Sequence, residues 1–165
     1  MTVAPRGYAF RAMTADDLPA IRDWLAKPHV STWWGDPDEQ FALISRDLAH
    51  SGIDQFIVAA EERSFAYLQC YDPAAWPEGG LGTQPYGTRG IDQFIGDPTM
   101  MEQGHGSAFI RVFVDDLLKL GAPRIVTDPD PSNIRAIRAY EKAGFQGQRL
   151  VDTCDGPALL MVRDA

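Results

Sequence analysis

The residues Gln103-Gly104-His105-Gly106-Ser107 follow a strand-like run and open a helical repeat. The first turn of a helix has no internal acceptors for its N–H groups, so several of them can converge on a phosphate there. Glycine at 104 and 106 lets a ligand approach the main chain closely. A Gly-x-Gly turn is common, and alone it does not decide. The segment departs from the dinucleotide fingerprint, because Phe109 stands where Gly or Ala belongs, and it lacks the Gly-Lys-Ser/Thr of a P-loop. Hydride transfer and nucleotide hydrolysis are therefore disfavoured.

The second chemistry-bearing segment is Thr127-Asp128-Pro129-Asp130-Pro131-Ser132-Asn133, continuing as IRAIRAYEKAGFQ. Here the chain resembles the GNAT acetyltransferase superfamily, with an Asn after a strand, a helix carrying A-x-x-x-Y-x-K, and a Gly-Phe exit. Asn133, Ala136, Tyr140, Lys142, Gly144 and Phe145 occupy that pattern, and Met101 to Gly106 fall on the superfamily's Q/R-x-x-G-x-G/A signature, with Met at its first position. The resemblance implies acetyl-CoA as co-substrate and no metal. Its pantetheine arm would lie along Gln93, Phe94 and Ile95, and its pyrophosphate on the amides of Gln103, Gly104, His105, Gly106 and Ser107, with Asn133 and Lys142 also on the cofactor side. A helical Tyr140 could simply fill the core, but its phenol is suited to hand a proton to a departing thiolate.

Trp33-Trp34-Gly35, Arg89-Gly90-Ile91-Asp92-Gln93, Thr127-Asp128-Pro129 and Asp155-Gly156-Pro157-Ala158 together look like the aminoglycoside 6′-N-acetyltransferases. That resemblance implies an acidic pocket, with Asp92 as base and Asp128 and Asp155 holding ammonium groups. Trp76 and Glu78 fall in a loop where the family carries aromatic and acidic residues. Trp33 and Trp34 are either core or pocket wall. The set makes physical sense, since a polycation needs several carboxylate partners and an amine must lose a proton before it attacks a thioester. Two other readings compete. One is acylation of another amine, such as a siderophore precursor or a hydroxylated lysine, and charge discriminates, since a pocket for a long acyl donor or an anionic acceptor should not present three carboxylates. The other is a non-catalytic CoA sensor, which would lack groups such as Asp92 and Tyr140.

The elements that position these residues are legible as periodicity. Tyr8 to Met13 reads as a strand, and a helix follows from about Ala15 to Ala26, capped by Thr14 and ended by Pro28. A second helix lies within Pro37 to His50, starting at Asp36. Gln55 to Ala60 and Ser64 to Tyr71 form a hairpin. Residues 72–88 hold three Pro and four Gly, so they form a loop, and Trp76 and Tyr86 suggest one that closes over something. Gly90 to Gly96 is a strand. Gly104 to Leu120 is a helix burying Phe109, Val112, Phe113, Leu117 and Leu120. Arg124 to Thr127 is a strand, Ser132 opens a helix from Asn133 to Ala143, Gly144 stops it, and strands at Phe145 to Thr153 and Ala158 to Arg163 flank a turn at Asp155-Gly156. The expected fold is α/β (α+β): a single N-acetyltransferase domain over 1–165, with a mixed, mostly antiparallel sheet of about seven strands and helices on both faces. A splayed strand pair near 90–96 and 124–128 would admit the cofactor.

Bulk properties agree. At 165 residues, with 45% hydrophobic and 23% charged residues, the chain suits one ordinary globular domain. A net charge of −8 repels nucleic acid and anionic lipid and favours a small cationic amine as partner. Cys70 and Cys154 have no metal-ligand or CxxC spacing, and no leader or membrane span is evident, so the expected setting is the cytoplasm, as monomer or homodimer.

Overall fold

The computed structural model describes residues 7–165, so the part of the leader expectation that rests on residues 1–6 lies outside the described residues. Seven strands and five α-helices are described, and the strands form one sheet in the order β1-β2-β3-β4-β5-β7-β6. They are β1 (Tyr8–Ala12), β2 (Ile53–Ala60), β3 (Arg63–Tyr71), β4 (Arg89–Ile95), β5 (Arg124–Thr127), β6 (Gln146–Thr153) and β7 (Gly156–Asp164). The helices are α1 (Leu18–Leu25), α2 (Pro28–Trp34), α3 (Pro37–Asp47), α4 (His105–Lys119) and α5 (Ile134–Lys142). The chain divides into two compact units, Met1–Gln69 with Gln93–Gln103, and Cys70–Asp92 with Gly104–Ala165.

In the first unit, Thr14 and Asp17 form a reciprocal capping box around a short 3₁₀ turn before α1. Arg11 grips the same Asp17 carboxylate at 2.9 and 2.7 Å, and this hydrogen bonding holds it below the usual carboxylate range. Pro28 does not merely stop α1. It is the first residue of α2, a helix the periodicity did not reveal, because proline at the first helical position costs nothing there. Asp36 caps α3 as expected, accepting from the amides of Asp38 and Glu39. The β2–β3 hairpin turns on Glu61 and Glu62, both at positive φ, a conformation that Glu rarely adopts. Ile21, Leu25, Val30, Ile44, Ile57, Tyr67 and Phe94 form the core.

In the second unit, β5 runs antiparallel to β7, which pairs in turn with β6 through a two-residue turn at Cys154 and Asp155. Asn133, not Ser132, caps α5, accepting from the Ala136 amide at 3.2 Å. On α4 the buried stripe is His105, Phe109, Ile110, Phe113 and Val114. Val112 and Leu120 are exposed, contrary to the expected core set, because the stripe is rotated toward Ile110 and Val114 and Leu120 stands at the helix end. The loop at 72–88 contains no longer helix or strand, only two 3₁₀ turns. It is held, since Leu81 enters the Val126–Leu160–Val162 core and Gly80 runs so close to the Asp152 carbonyl that a β-carbon would lie 2.3 Å from it. Tyr86 is fully exposed and closes over nothing.

Candidate active site

The site grows from the place where β4 and β5 part. They pair in parallel only at Arg89–Ile125 and Gly90–Val126. Beyond that, the buried Thr127 hydroxyl donates to the Ile91 carbonyl at 3.1 Å, a side chain standing where the main-chain ladder ends. Asp92 and Asp128 follow immediately on the two diverging strands. Side chains alternate along a strand, so Gly90 and Asp92 share one face of β4. On that face the Tyr71 ring lies against Gly90, where a β-carbon would come within 2.3 Å of ring carbon Cζ and 2.7 Å of the hydroxyl. Trp76, from the start of the loop, packs edge-on against Tyr71 at 5.8 Å between centroids. Asp155 sits at the tip of the β6–β7 hairpin, where Thr153 Oγ1 accepts from its amide at 3.2 Å.

These groups form one electrostatic cluster. Burial, then Asp92, then Asp155 push the Asp128 carboxyl up to about 8, so at neutral pH it keeps its proton for want of a counter-charge. Burial foremost, with Asp92, Asp128, Tyr140 and Cys70 adding to it, raises the Tyr71 phenol well above its ordinary value, and it stays a neutral hydroxyl. The carboxylates feel one another. Among the described residues, no group of three or more His, Cys, Asp or Glu side chains could hold a metal ion.

Tyr140 is buried on α5, 5.4 Å from Phe145 between ring centroids. Gly104 caps α4 at φ +79 with open space where a β-carbon would stand, and no side chain caps the amides that follow. His105 is buried there, and Ser107 Oγ lies 3.5 Å from the Gly104 carbonyl. The Gln103 side chain is spent on the Thr99 carbonyl at 2.5 Å. Asn133 uses its own side chain as the α5 cap, while Lys142 is exposed and its carbonyl accepts from Arg111. Gln93 is half-buried. Phe94 is packed among Trp24, Trp34 and Tyr67, leaving only its main chain to a ligand, and the Ile95 carbonyl accepts from His29 Nε2 at 2.8 Å. Trp34 belongs to that aromatic core, and Trp33 is 45% exposed beside it in α2. Glu78 is exposed in a 3₁₀ turn.

The acetyltransferase (GNAT) domain family matches residues 13–153. The chain belongs to the GNAT acetyltransferases. Within that family it is similar to the aminoglycoside N(6′)-acetyltransferase type 1 of Klebsiella pneumoniae, 36% identical over 163 residues that span 93% of this chain and 81% of the relative. Among solved structures it is similar to AAC(6′)-Ib in complex with Parmomycin and acetyl-CoA, at a TM-score of 0.87, 33% identity, and coverage of 96% of this chain and 93% of that one. The aminoglycoside acetyltransferase AAC(6′)-Ib in complex with coenzyme A and kanamycin gives a TM-score of 0.86 at 33% identity, covering 96% and 95% of the two chains.

Of the GNAT residues expected from sequence, the second unit brings Asp92, Asp128, Asp155, Trp76 and Tyr140 into the network centred on Tyr71. Sequence reasoning gave no role of their own to Tyr71, Gly90 and Thr127, although the last two stand in the motifs that carry the resemblance. Tyr71 read as the end of a hairpin strand, and Gly90 as a strand start. The available signal was the small residue in Arg-Gly-Ile-Asp, since a glycine inside a strand marks a close approach by a neighbour.

Proposed function

We propose that this single N-acetyltransferase domain transfers the acetyl group of acetyl-CoA to a primary amine of a polycationic aminoglycoside, the 6′-amine. The observation that carries this reading is the cluster of Asp92, Asp128 and Asp155, in which burial and the repulsion of its two neighbours oppose ionisation of Asp128. A polycation relieves their repulsion as it binds, and an anionic or neutral acceptor does not. The similarity to enzymes named for the same transfer supports it.

When bound, acetyl-CoA supplies an activated acyl thioester. The open amides that begin α4 are suited to its pyrophosphate, because Gly104 presents no side chain and the amides of the first turn have no helical partner. We assign the main-chain groups of Gln93, Phe94 and Ile95 to the pantetheine arm, and Gln103 to Ser107, Asn133 and Lys142 to the cofactor side. Asp92 takes the proton of the attacking amine, directly or through water, and Asp128 and Asp155 hold neighbouring ammonium groups. Tyr140, buried on α5, gives a proton to the departing thiolate. Trp33, Trp76 and Glu78 are assigned to the substrate side, and Trp34 to the aromatic core it packs into. The protein works in the cytoplasm, where its thioester co-substrate is made, as a monomer or homodimer and without nucleic acid. Among the described residues, no helix is long and apolar enough to cross a membrane.

Thiol release from acetyl-CoA, measured with kanamycin and tobramycin against a panel holding a hydroxylated lysine and simple diamines, tests this. Turnover should be confined to the aminoglycosides. Equal or faster turnover of the hydroxylated lysine would move the chain to another acceptor.

A further inference from the structure

Thr127 stands at a junction that none of the reacting groups occupies. Its donor hydroxyl precedes Asp128 by one residue, and its acceptor, the Ile91 carbonyl, precedes Asp92 by one. Thr127 is fully buried, so with the strands in this arrangement the bond is shielded from solvent. From the opposite side, β7 holds the same segment, through the Thr127–Met161 register and the Leu159 amide donating to the Pro129 carbonyl at 2.8 Å. We propose that Thr127 is a positioning residue, whose hydroxyl fixes the separation of the Asp92 and Asp128 carboxylates by tying β5 to β4 where the strands part. This deepens the amine-acetylation reading and rests on it for its functional meaning.

The consequence follows from the charges around Asp128. Asp92 on β4 and Asp155 in the β6–β7 turn face it as carboxyls, and the phenol of Tyr71 on β3, itself faced by Tyr140 of α5 and Cys70 of β3, belongs to the same cluster. Without the hydroxyl, the Ile91 carbonyl loses its partner and the fork relaxes apart to admit water. Asp92 and Asp128 then repel less, Asp128 is better solvated, and it gives up its proton at a lower pH. The pair also ceases to present a fixed spacing to two ammonium groups.

Thr127→Val keeps the shape and removes the donor, Thr127→Ser keeps the donor, and Thr127→Ala differs from the serine variant by one oxygen. The first readout is the ¹³C carboxyl titration of Asp128 in the free protein, and the second is the kcat and KM for kanamycin. In Thr127→Val the Asp128 midpoint should fall by about one pH unit or more, and KM should rise about tenfold, the worth of one well-placed hydrogen bond. Thr127→Ser should superimpose on the wild type. If Thr127→Val does not fold, alanine against serine gives the same comparison. An Asp128 titration unchanged in Thr127→Val, or one shifted equally by serine and alanine, overturns the proposal. Because the titration needs no substrate, a wild-type protein that fails to acetylate kanamycin would sink the functional reading and leave this test standing.

Discussion

The Tyr71 ring rests on Gly90, with ring carbons and hydroxyl all within 2.7 Å of where a β-carbon at position 90 would lie. Nothing larger than glycine leaves the phenol there. Gly90→Ala should therefore push Tyr71 toward Trp76, destabilise the fold by about 1–3 kcal/mol as overpacking does, and lower kcat/KM for the amine. Tyr71→Phe keeps the ring on its seat and removes only the hydroxyl, so its thermal unfolding should match the wild type, while KM rises roughly three- to tenfold. Unfolding curves and steady-state kinetics on both variants check this, and an unaffected Gly90→Ala would show that the ring is not confined.

Asp128 gives the fold a pH signature. Unfolded, its carboxyl ionises near the ordinary value of about 3.9; folded, it keeps its proton up to about 8. Between those values the folded chain holds a proton that the unfolded chain has lost, so this residue's contribution falls as pH rises from about 4 to about 8. Asp128→Asn, neutral throughout, should be more stable than wild type at pH 8 by roughly 1–3 kcal/mol, a part of what the full shift would give. The advantage should vanish near pH 4. Denaturant unfolding at the two pH values measures it, and a constant difference would refute the coupling.

Much of this was legible in sequence because local chemistry decides it. Asp36 caps its helix by the side chain its position requires, β5 spans Arg124 to Thr127 around its β-branched Ile125-Val126 pair as expected, and Gly144 takes the positive φ that follows a helix. The failures have non-local causes or rest on ambiguous signals. Pro28 both ends and begins helices, and the single sequence does not say which. Ser132 and Asn133 are both good caps, and only the backbone geometry separates them. The carboxylate trio came from family resemblance, whereas the roles of Tyr71 and Thr127 depend on β3, β4 and β5 lying side by side, since Gly90 marks a close approach without saying that a ring 19 positions away makes it.

Gly104 adopts φ +79 and its missing β-carbon meets no protein atom. Gly104→Ala and Gly104→Val should both fold, each carrying about 1–2 kcal/mol of backbone strain. Valine should weaken coenzyme A binding more than alanine, because its bulk projects into the space left for the ligand. Calorimetric titration with coenzyme A reads this directly, and wild-type affinity in Gly104→Val would remove the pyrophosphate from this turn.

With Asp92 proposed as the base and Tyr140 as the acid, the two should separate in kinetics. Asp92→Asn should lower kcat by roughly 10²–10⁴-fold, the range typical of a lost general base, whereas Asp155→Asn should chiefly raise KM for the aminoglycoside. Tyr140→Phe should cut kcat modestly, a thiol being a good leaving group, with acetyl-CoA affinity intact. Full turnover in Asp92→Asn together with its loss in Asp128→Asn would move the base to Asp128.

The structure of the product tests the central claim most directly. Kanamycin incubated with the protein and acetyl-CoA should yield one monoacetylated species, and two-dimensional NMR should place its acetyl group on the 6′ nitrogen. Acetylation at any other amine, or no acetylated kanamycin at all, would contradict the account.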